Sequence, residues 1–498
     1  MNQRLIKEAR DLLPFFAGVL VVIIWPYLIW HEYAAVFGYV TFGLGCVVLG
    51  GCSFGNELHN RTLSLLLSQP IDRAALWREK MLVLGAALGM SLGVLLVCLQ
   101  VTYPGLNSQW WGAALVALCA FCGAPYWTLL LRQGIGGMAF AAAVPVLLSL
   151  TARLVTDRLV ENREVQAYPA IGALLIYCAL VHGLGYSRFR RLQVVDGASA
   201  ELALPAGLED KLSRPLSRIA SRFSGEFASL VRKELRLQQI SFVLAALFVL
   251  IAVSSACLIR FDSEWGRNIL GGDYLIYVLV IPIIAGVISV AEEKGWEVAE
   301  WHLTLPPSAL KQWSAKMLTT LSTSFALGLV LPTVLFLAGE GLLATGGART
   351  PLPPASQILC WVLGQLLLTS LAVYAASFCN STLRAILAAF AIIIAGCGVC
   401  LFAIKFGATV IEPGLKQFPP APAHRPSVEH LTEVLAPLLA AGALFSILCL
   451  VQLFAWSNYR RVRPPVGEVV VQLLVGLPLL GLMVMAMAAV MFGWVGRY

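Results

Sequence analysis

Long apolar stretches alternate with short polar connections along nearly the whole chain. A helix needs about 20 apolar residues to cross roughly 30 Å of hydrocarbon, and runs of that length recur from end to end. In the first part they cover Leu12 to Trp30, Ala34 to Phe54, Met81 to Tyr103, Trp111 to Leu131, Ile135 to Leu154 and Tyr168 to Tyr186. In the later part they cover Ile240 to Ile259, Tyr274 to Ala291, Met317 to Ala338, Gln357 to Cys379, Leu383 to Ile404 and Leu431 to Trp456. A final run, Val469 to Trp494, would be a thirteenth. The pattern predicts an all-α polytopic membrane protein of about 12 to 13 spans.

One polar stretch, Arg188 to Gln239, is too charged to cross and too long for a turn. Its end carries Phe223, Phe227, Leu230, Val231 and Leu235 at helical spacing, with Arg232, Lys233 and Arg236 between them. That pattern suits an amphipathic helix lying at the interface. Asn2 to Asp11 reads as its shorter counterpart before the first span.

The two parts repeat one another. Lys7-Glu8-Ala9-Arg10 before the first span matches Lys233-Glu234-Leu235-Arg236 before the seventh, at an offset of 226. Glu57, Pro70, Trp77, Lys80 and Met81 match Glu293, Pro306, Trp313, Lys316 and Met317, at an offset of 236. Tyr186 to Arg191, after the sixth span, matches Trp456 to Arg461, after the twelfth, at an offset of 270. Six spans per copy is an even number, so the copies are expected to be parallel repeats related by an axis along the membrane normal. The expected divisions are 1–191 for the first half, 192–222 for a linker, 223–461 for the second half and 462–498 for a further span. The growing offset falls mostly in the outer connections Arg260 to Asp273, Gly339 to Ser356 and Lys405 to His430.

In each copy the connection between the second and third spans is longer than a simple hairpin. In the first, Leu63, Leu66 and Leu67 line one face of a short helix that Pro70 ends. Asp72 and the aligned Ser308 are good N-caps, so a second helix is expected to start after each proline. Each copy should therefore present an elbow at the membrane surface.

Composition agrees with the pattern. The 498 residues are 59% hydrophobic and 12% charged, too few polar groups to coat a soluble globule. With the N-terminus placed inside, the inner segments hold 25 Lys and Arg and the outer ones 10, which supports that orientation. The net charge of +8 then needs no nucleic acid. All 12 cysteines fall in or at the ends of spans, against a disulfide framework. Cys119/Cys122 and Cys397/Cys400 have CxxC spacing, and in apolar helices without nearby His they read as core.

Glu57, Arg61-Thr62-Leu63, Leu67, Pro70 and Lys80 resemble the pattern between the second and third spans of type-2 ABC exporter permeases. Glu293, Pro306 and Lys316 repeat it, although Glu297 stands opposite Arg61 and the second copy departs from the family's Gly-Thr-Leu-Glu stretch. The resemblance implies that these segments are coupling helices that dock into ATPase subunits. It implies a fused, double-length permease in a bacterial inner or plasma membrane, served by two copies of an ABC ATPase, identical or different. No GxxxxGK[ST] stretch occurs, so this chain is not expected to be an enzyme, and it needs no cofactor or metal of its own. ATP and Mg would be bound by the partner. The alternative is a secondary active transporter with two six-helix repeats.

Gln100, Gln133, His182, Gln357, Gln365 and Arg384 lie in or near span ends, where snorkelling or helix-helix hydrogen bonds account for them. No carboxylate sits mid-span, which argues against ion coupling. A weakly polar pathway for a small lipophilic substrate, a lipid or a peptide is expected instead, with Tyr39, Phe42, Phe54, Tyr274 and Tyr277 as candidates for its lining.

Overall fold

The computed structural model describes residues 3–29, 34–59, 62–63, 68, 72–103, 110–156, 167–192, 225–259, 263–295, 301, 306–343, 355–415, 426–461 and 464–495. Among them there is no strand, and 13 helices are long and apolar enough to span. The chain is an all-α, multi-pass membrane protein.

The first helices are α1 (Gln3–Ile29), α2 (Ala34–His59), α3 (Arg73–Thr102), α4 (Trp110–Leu131), α5 (Gly134–Thr156) and α6 (Ala167–Arg191). A short α7 (Glu226–Leu237) precedes α8 (Gln239–Ile259) and α9 (Ser263–Gly295). Next, α10 (Ala309–Phe325) passes through a single π-helical turn, Ala326–Val330, into α11 (Leu331–Leu343). The chain ends with α12 (Ala355–Phe378), α13 (Thr382–Leu415), α14 (Pro426–Arg460) and α15 (Val466–Val495). The thirteenth candidate span lies in α15.

Contacts divide the chain into two compact units, one of residues 1–219 with 242–273 and one of 220–241 with 274–498. In the first unit, α8 follows the linker in sequence yet packs with α5. Val243, Leu247, Ile251 and Leu258 form one buried cluster with Ala139, Ala143 and Leu150. In the second, Ala372, Val373, Ala375 and Ala376 of α12 pack with Val287 and Val290 of α9 and Val451 and Ala455 of α14. Small residues let helix backbones approach closely where lipid supplies no hydrophobic drive. Gly286 illustrates this, because a Cβ there would lie 2.6 Å from the Thr369 carbonyl oxygen.

The two polar lead-in segments differ. Residues 3–11 are the first turns of α1 and run unbroken into its span. Their counterpart α7 is a separate helix that ends at Gln238, whose side-chain amide donates to Ala285 O (2.9 Å) and accepts from the Ser241 hydroxyl (2.9 Å). Spending that buried side chain on the neighbouring helix fixes the break before α8. Phe227 of α7 is exposed while Glu234 is buried, as suits a helix lying in the interface with its charge turned inward.

Both helices after the elbows start as the cap residues dictate. The Asp72 carboxylate accepts from Ala74 N–H (3.1 Å) and opens α3. The Ser308 hydroxyl accepts from Lys311 N–H (3.4 Å) and opens α10.

Candidate functional site

Three of the repeated sequence positions meet at one point in each unit. In the first, Lys80 enters from α3, is 3% exposed, and its ammonium lies 2.7 Å from Glu8 Oε2 of α1 and 2.7 Å from Glu57 Oε1 of α2. It also donates to Ser53 O at 3.3 Å and sits 5.3 Å from the Phe54 ring centre. In the second unit Lys316 of α10 is 1% exposed, 2.9 Å from Glu234 Oε2 of α7 and 3.1 Å from Glu293 Oε2 of α9. It donates to Ser289 O as well. Glu8 and Glu234, Glu57 and Glu293, Ser53 and Ser289, and Lys80 and Lys316 are pairs at the repeat offsets. Even the serine hydroxyls agree, each donating at 2.7 Å to the carbonyl of the glycine three residues earlier, Gly50 or Gly286.

An ammonium withdrawn from water is stable only when carboxylates and carbonyls replace its hydration. Each lysine therefore fastens the start of the post-elbow helix to the end of the pre-elbow helix and to the lead-in helix before the first span of its copy. The two helices that flank each connection are thereby tied together.

An aromatic layer lies beside each cluster, and it repeats too. Trp77 packs on Tyr186 (6.1 Å between ring centres) and Phe189 (5.5 Å), and Trp313 on Trp456 (5.6 Å) and Tyr459 (5.1 Å). Arg190 and Arg460 each lie 5.7 Å over the first ring of their pair. Arg73 adds hydrogen bonds to the carbonyl oxygens of Arg190 and Leu192 (2.9 Å), capping the end of α6.

The clusters differ in burial. The first borders a cavity of about 30 Å³, room for one or two water molecules, lined by Glu8, Asp11, Asn56, Glu57 and Lys80 among others. Glu57 Oε2 has no hydrogen-bond partner in the protein. The second is more deeply buried and carries more charge, since Lys233 also pairs with Glu293 and Glu292 is buried next to it in the chain. Burial pushes the Glu234 carboxyl above its ordinary range, against the pull of Lys316 and Lys233 and with Glu293 adding to the rise.

Of the elbow residues singled out from the sequence, Glu57, Lys80, Glu293 and Lys316 are brought together with their own copies' partners, side chains turned inward. Asp72, Pro306 and Ser308 are exposed. Arg61, Leu67, Pro70 and Glu297 lie outside the described residues. Glu8 and Glu234 are functional-site members that spacing alone did not single out, although both sit in the repeated Lys-Glu landmark.

The pathway candidates are spread over both units. Phe42 and Phe54 are fully interior, at 1 and 0% exposure, and Phe54 meets Trp77 at a tilt and Phe189 edge-on beside Lys80. Tyr39 is half-buried, Tyr274 lies against Phe336 (5.3 Å), and Tyr277 is buried. His182 stacks on Phe121 beneath Trp77. The Cys119/Cys122 pair gains a third thiol, Cys178 of α6, whose sulfur is 3.7 Å from that of Cys119. Among the described residues no group of His, Cys, Asp and Glu is arranged to hold a metal ion.

The sequence matches no family model and no characterised protein, and no solved structure matches the chain.

Proposed function

We propose that this transporter-like membrane protein is the transmembrane permease of an ATP-driven exporter of the type-2 ABC kind, with separate ATPase subunits docking on its two elbows. One observation carries the reading: in both units a buried lysine ties the two ends of the elbow and a lead-in helix into one body. Helices tied in this way can take up a push on the connection between them together, which a coupling element must do. The buried carboxylates and lysines hold the elbow, and the docking surface is formed by exposed positions such as Asp72, Pro306, Ser308 and Leu310. The N-terminus is inside, the cargo is lipophilic or amphipathic, and the halves alternate between inward-open and outward-open states as ATP closes the partners.

The test is purification of the full chain from its native membrane in mild detergent. An ABC ATPase should accompany it, with turnover that depends on the chain and falls when Leu310 and Ser308 are replaced by Asp and Arg. Transport by the chain alone under an ion gradient would overturn the reading in favour of a secondary transporter.

A further inference from the structure

The sequence reading assigns Gln365 a snorkelling or helix-helix role near a span end. Instead it lies ten residues into α12, within the candidate span 358–378, and is 4% exposed. Its neighbours on the facing helix form a polar seam. Across from α12, α10 presents Thr320 and Ser324, and one turn on Gly328 falls inside the π-helical turn. The Ser324 and Thr369 hydroxyls are 2.6 Å apart, and Thr369 donates to Gln365 O at 2.9 Å. With the Thr369 proton committed there, Ser324 donates to Thr369. Two buried polar atoms of the seam are left without a partner, the Thr320 hydroxyl and the Gln365 side-chain amide nitrogen. Nε2 has no hydrogen-bond partner, and it points at Gly328, where a Cβ would come within 2.4 Å of it.

An unmatched amide donor inside an apolar span is costly and marks a functional site by default. A π-helical turn is a second such mark, because one inserted residue reshapes the helix face beside it. The seam also breaks the internal repeat. At the 236 offset Thr320 and Ser324 correspond to Leu84 and Leu88, both buried, so the first unit fills the same positions with apolar side chains.

We propose that Gln365 Nε2 binds a neutral hydrogen-bond acceptor, the carbonyl of an ester or amide carried on an otherwise apolar chain. The groups of the seam are all uncharged, so an ionised ligand would find no countercharge. Ile281 and Pro282 wall the Gly328 side with apolar surface. That this ligand is cargo rests on the permease reading above; that the seam binds a carbonyl does not.

The experiment uses the full chain in nanodiscs of ether-linked phosphatidylcholine and two probes of equal length, a diazirine-bearing hexadecanoic acid methyl ester and a diazirine-bearing alkane. The ester should label peptides containing residues 320–330 and 360–370 at least tenfold more than the alkane. Gln365→Leu, which keeps the side chain's bulk and removes the amide donor, should lose at least fivefold of that labelling. Equal labelling by both probes, absence of labelling in these peptides, or wild-type labelling of Gln365→Leu would overturn the proposal. Repeating the measurement in ester-linked phosphatidylcholine identifies the source. A tenfold fall means that bilayer ester occupies the seam, and unchanged labelling means that a free amphiphile does; both retain the carbonyl site. Labelling is read without any ATPase, so it stands or falls apart from the permease assignment.

Discussion

Glu234 Oε2 lies 2.9 Å from Lys316 Nζ, and the two residues are 4 and 1% exposed. Removing one member of a buried ion cluster leaves the rest uncompensated, at a cost of about 3–5 kcal/mol. Lys316→Met should therefore lower the unfolding free energy in detergent by about that much. The triple variant Lys316→Met, Glu234→Gln, Glu293→Gln removes the stranded charges as well and should recover most of the loss. Denaturant unfolding followed by tryptophan fluorescence reads both. Equal stability of the single and triple variants would show that charge compensation is not what holds this junction.

The first cluster should be more forgiving. The side chains of Glu8 and Glu57 are 16 and 14% exposed and border a cavity with room for water, so water can take over part of the lysine's role. Lys80→Met should cost about 1–3 kcal/mol, the range for a partly hydrated unpaired group. Side-by-side unfolding of Lys80→Met and Lys316→Met measures the difference. A Lys80 variant as damaging as the Lys316 one would contradict the hydration argument.

Much of this was legible in the sequence at the level of correspondence. Apolar run length locates the spans, because a bilayer imposes one length on every crossing helix. The repeat marks Lys7-Glu8, Glu57, Trp77 and Lys80 as equivalent to their later copies. A repeat says which positions correspond, however, and not which of them touch. The meeting of Glu8 with Lys80 depends on the packing of α1 against α3, which no spacing encodes. The setting of Gln365 is hidden for a related reason. A lone amide in an apolar run looks the same whether it faces a polar seam or a headgroup, and only the opposite helix decides between them. The packing of α8 with α5 was equally hidden, since its uniformly apolar sequence suits either neighbour.

Close helix approach gives a third expectation. A Cβ at Gly286 would meet the Thr369 carbonyl oxygen at 2.6 Å and the Ala372 Cβ at 2.7 Å, both parts of a helix that cannot shift alone. Gly286→Ala should destabilise by about 1–3 kcal/mol through overpacking. Gly89→Ala, at a position with nothing within 4 Å, should be neutral or stabilise by up to about 1 kcal/mol. Thermal unfolding monitored by size-exclusion recovery distinguishes the two, and similar shifts would refute the contact.

The thirteenth span is fastened by an amide pair. Asn458 Nδ2 donates to Gln472 Oε1 at 3.1 Å, and Gln472 Nε2 donates back to Asn458 Oδ1 at 3.1 Å. Asn458 also donates to Ser377 Oγ at 3.1 Å, so α12, α14 and α15 share one polar knot. Hydrogen bonds between membrane helices are worth about 0.6–2 kcal/mol, and a reciprocal pair is lost as a unit. Asn458→Leu and Gln472→Leu should each destabilise by about 1–2 kcal/mol, and the double variant by little more than the larger single effect. A double-mutant cycle on unfolding free energies reads that coupling. Strict additivity would mean that the two amides act separately, and α15 would then be held by its apolar face and the Arg461–Glu468 ion pair alone.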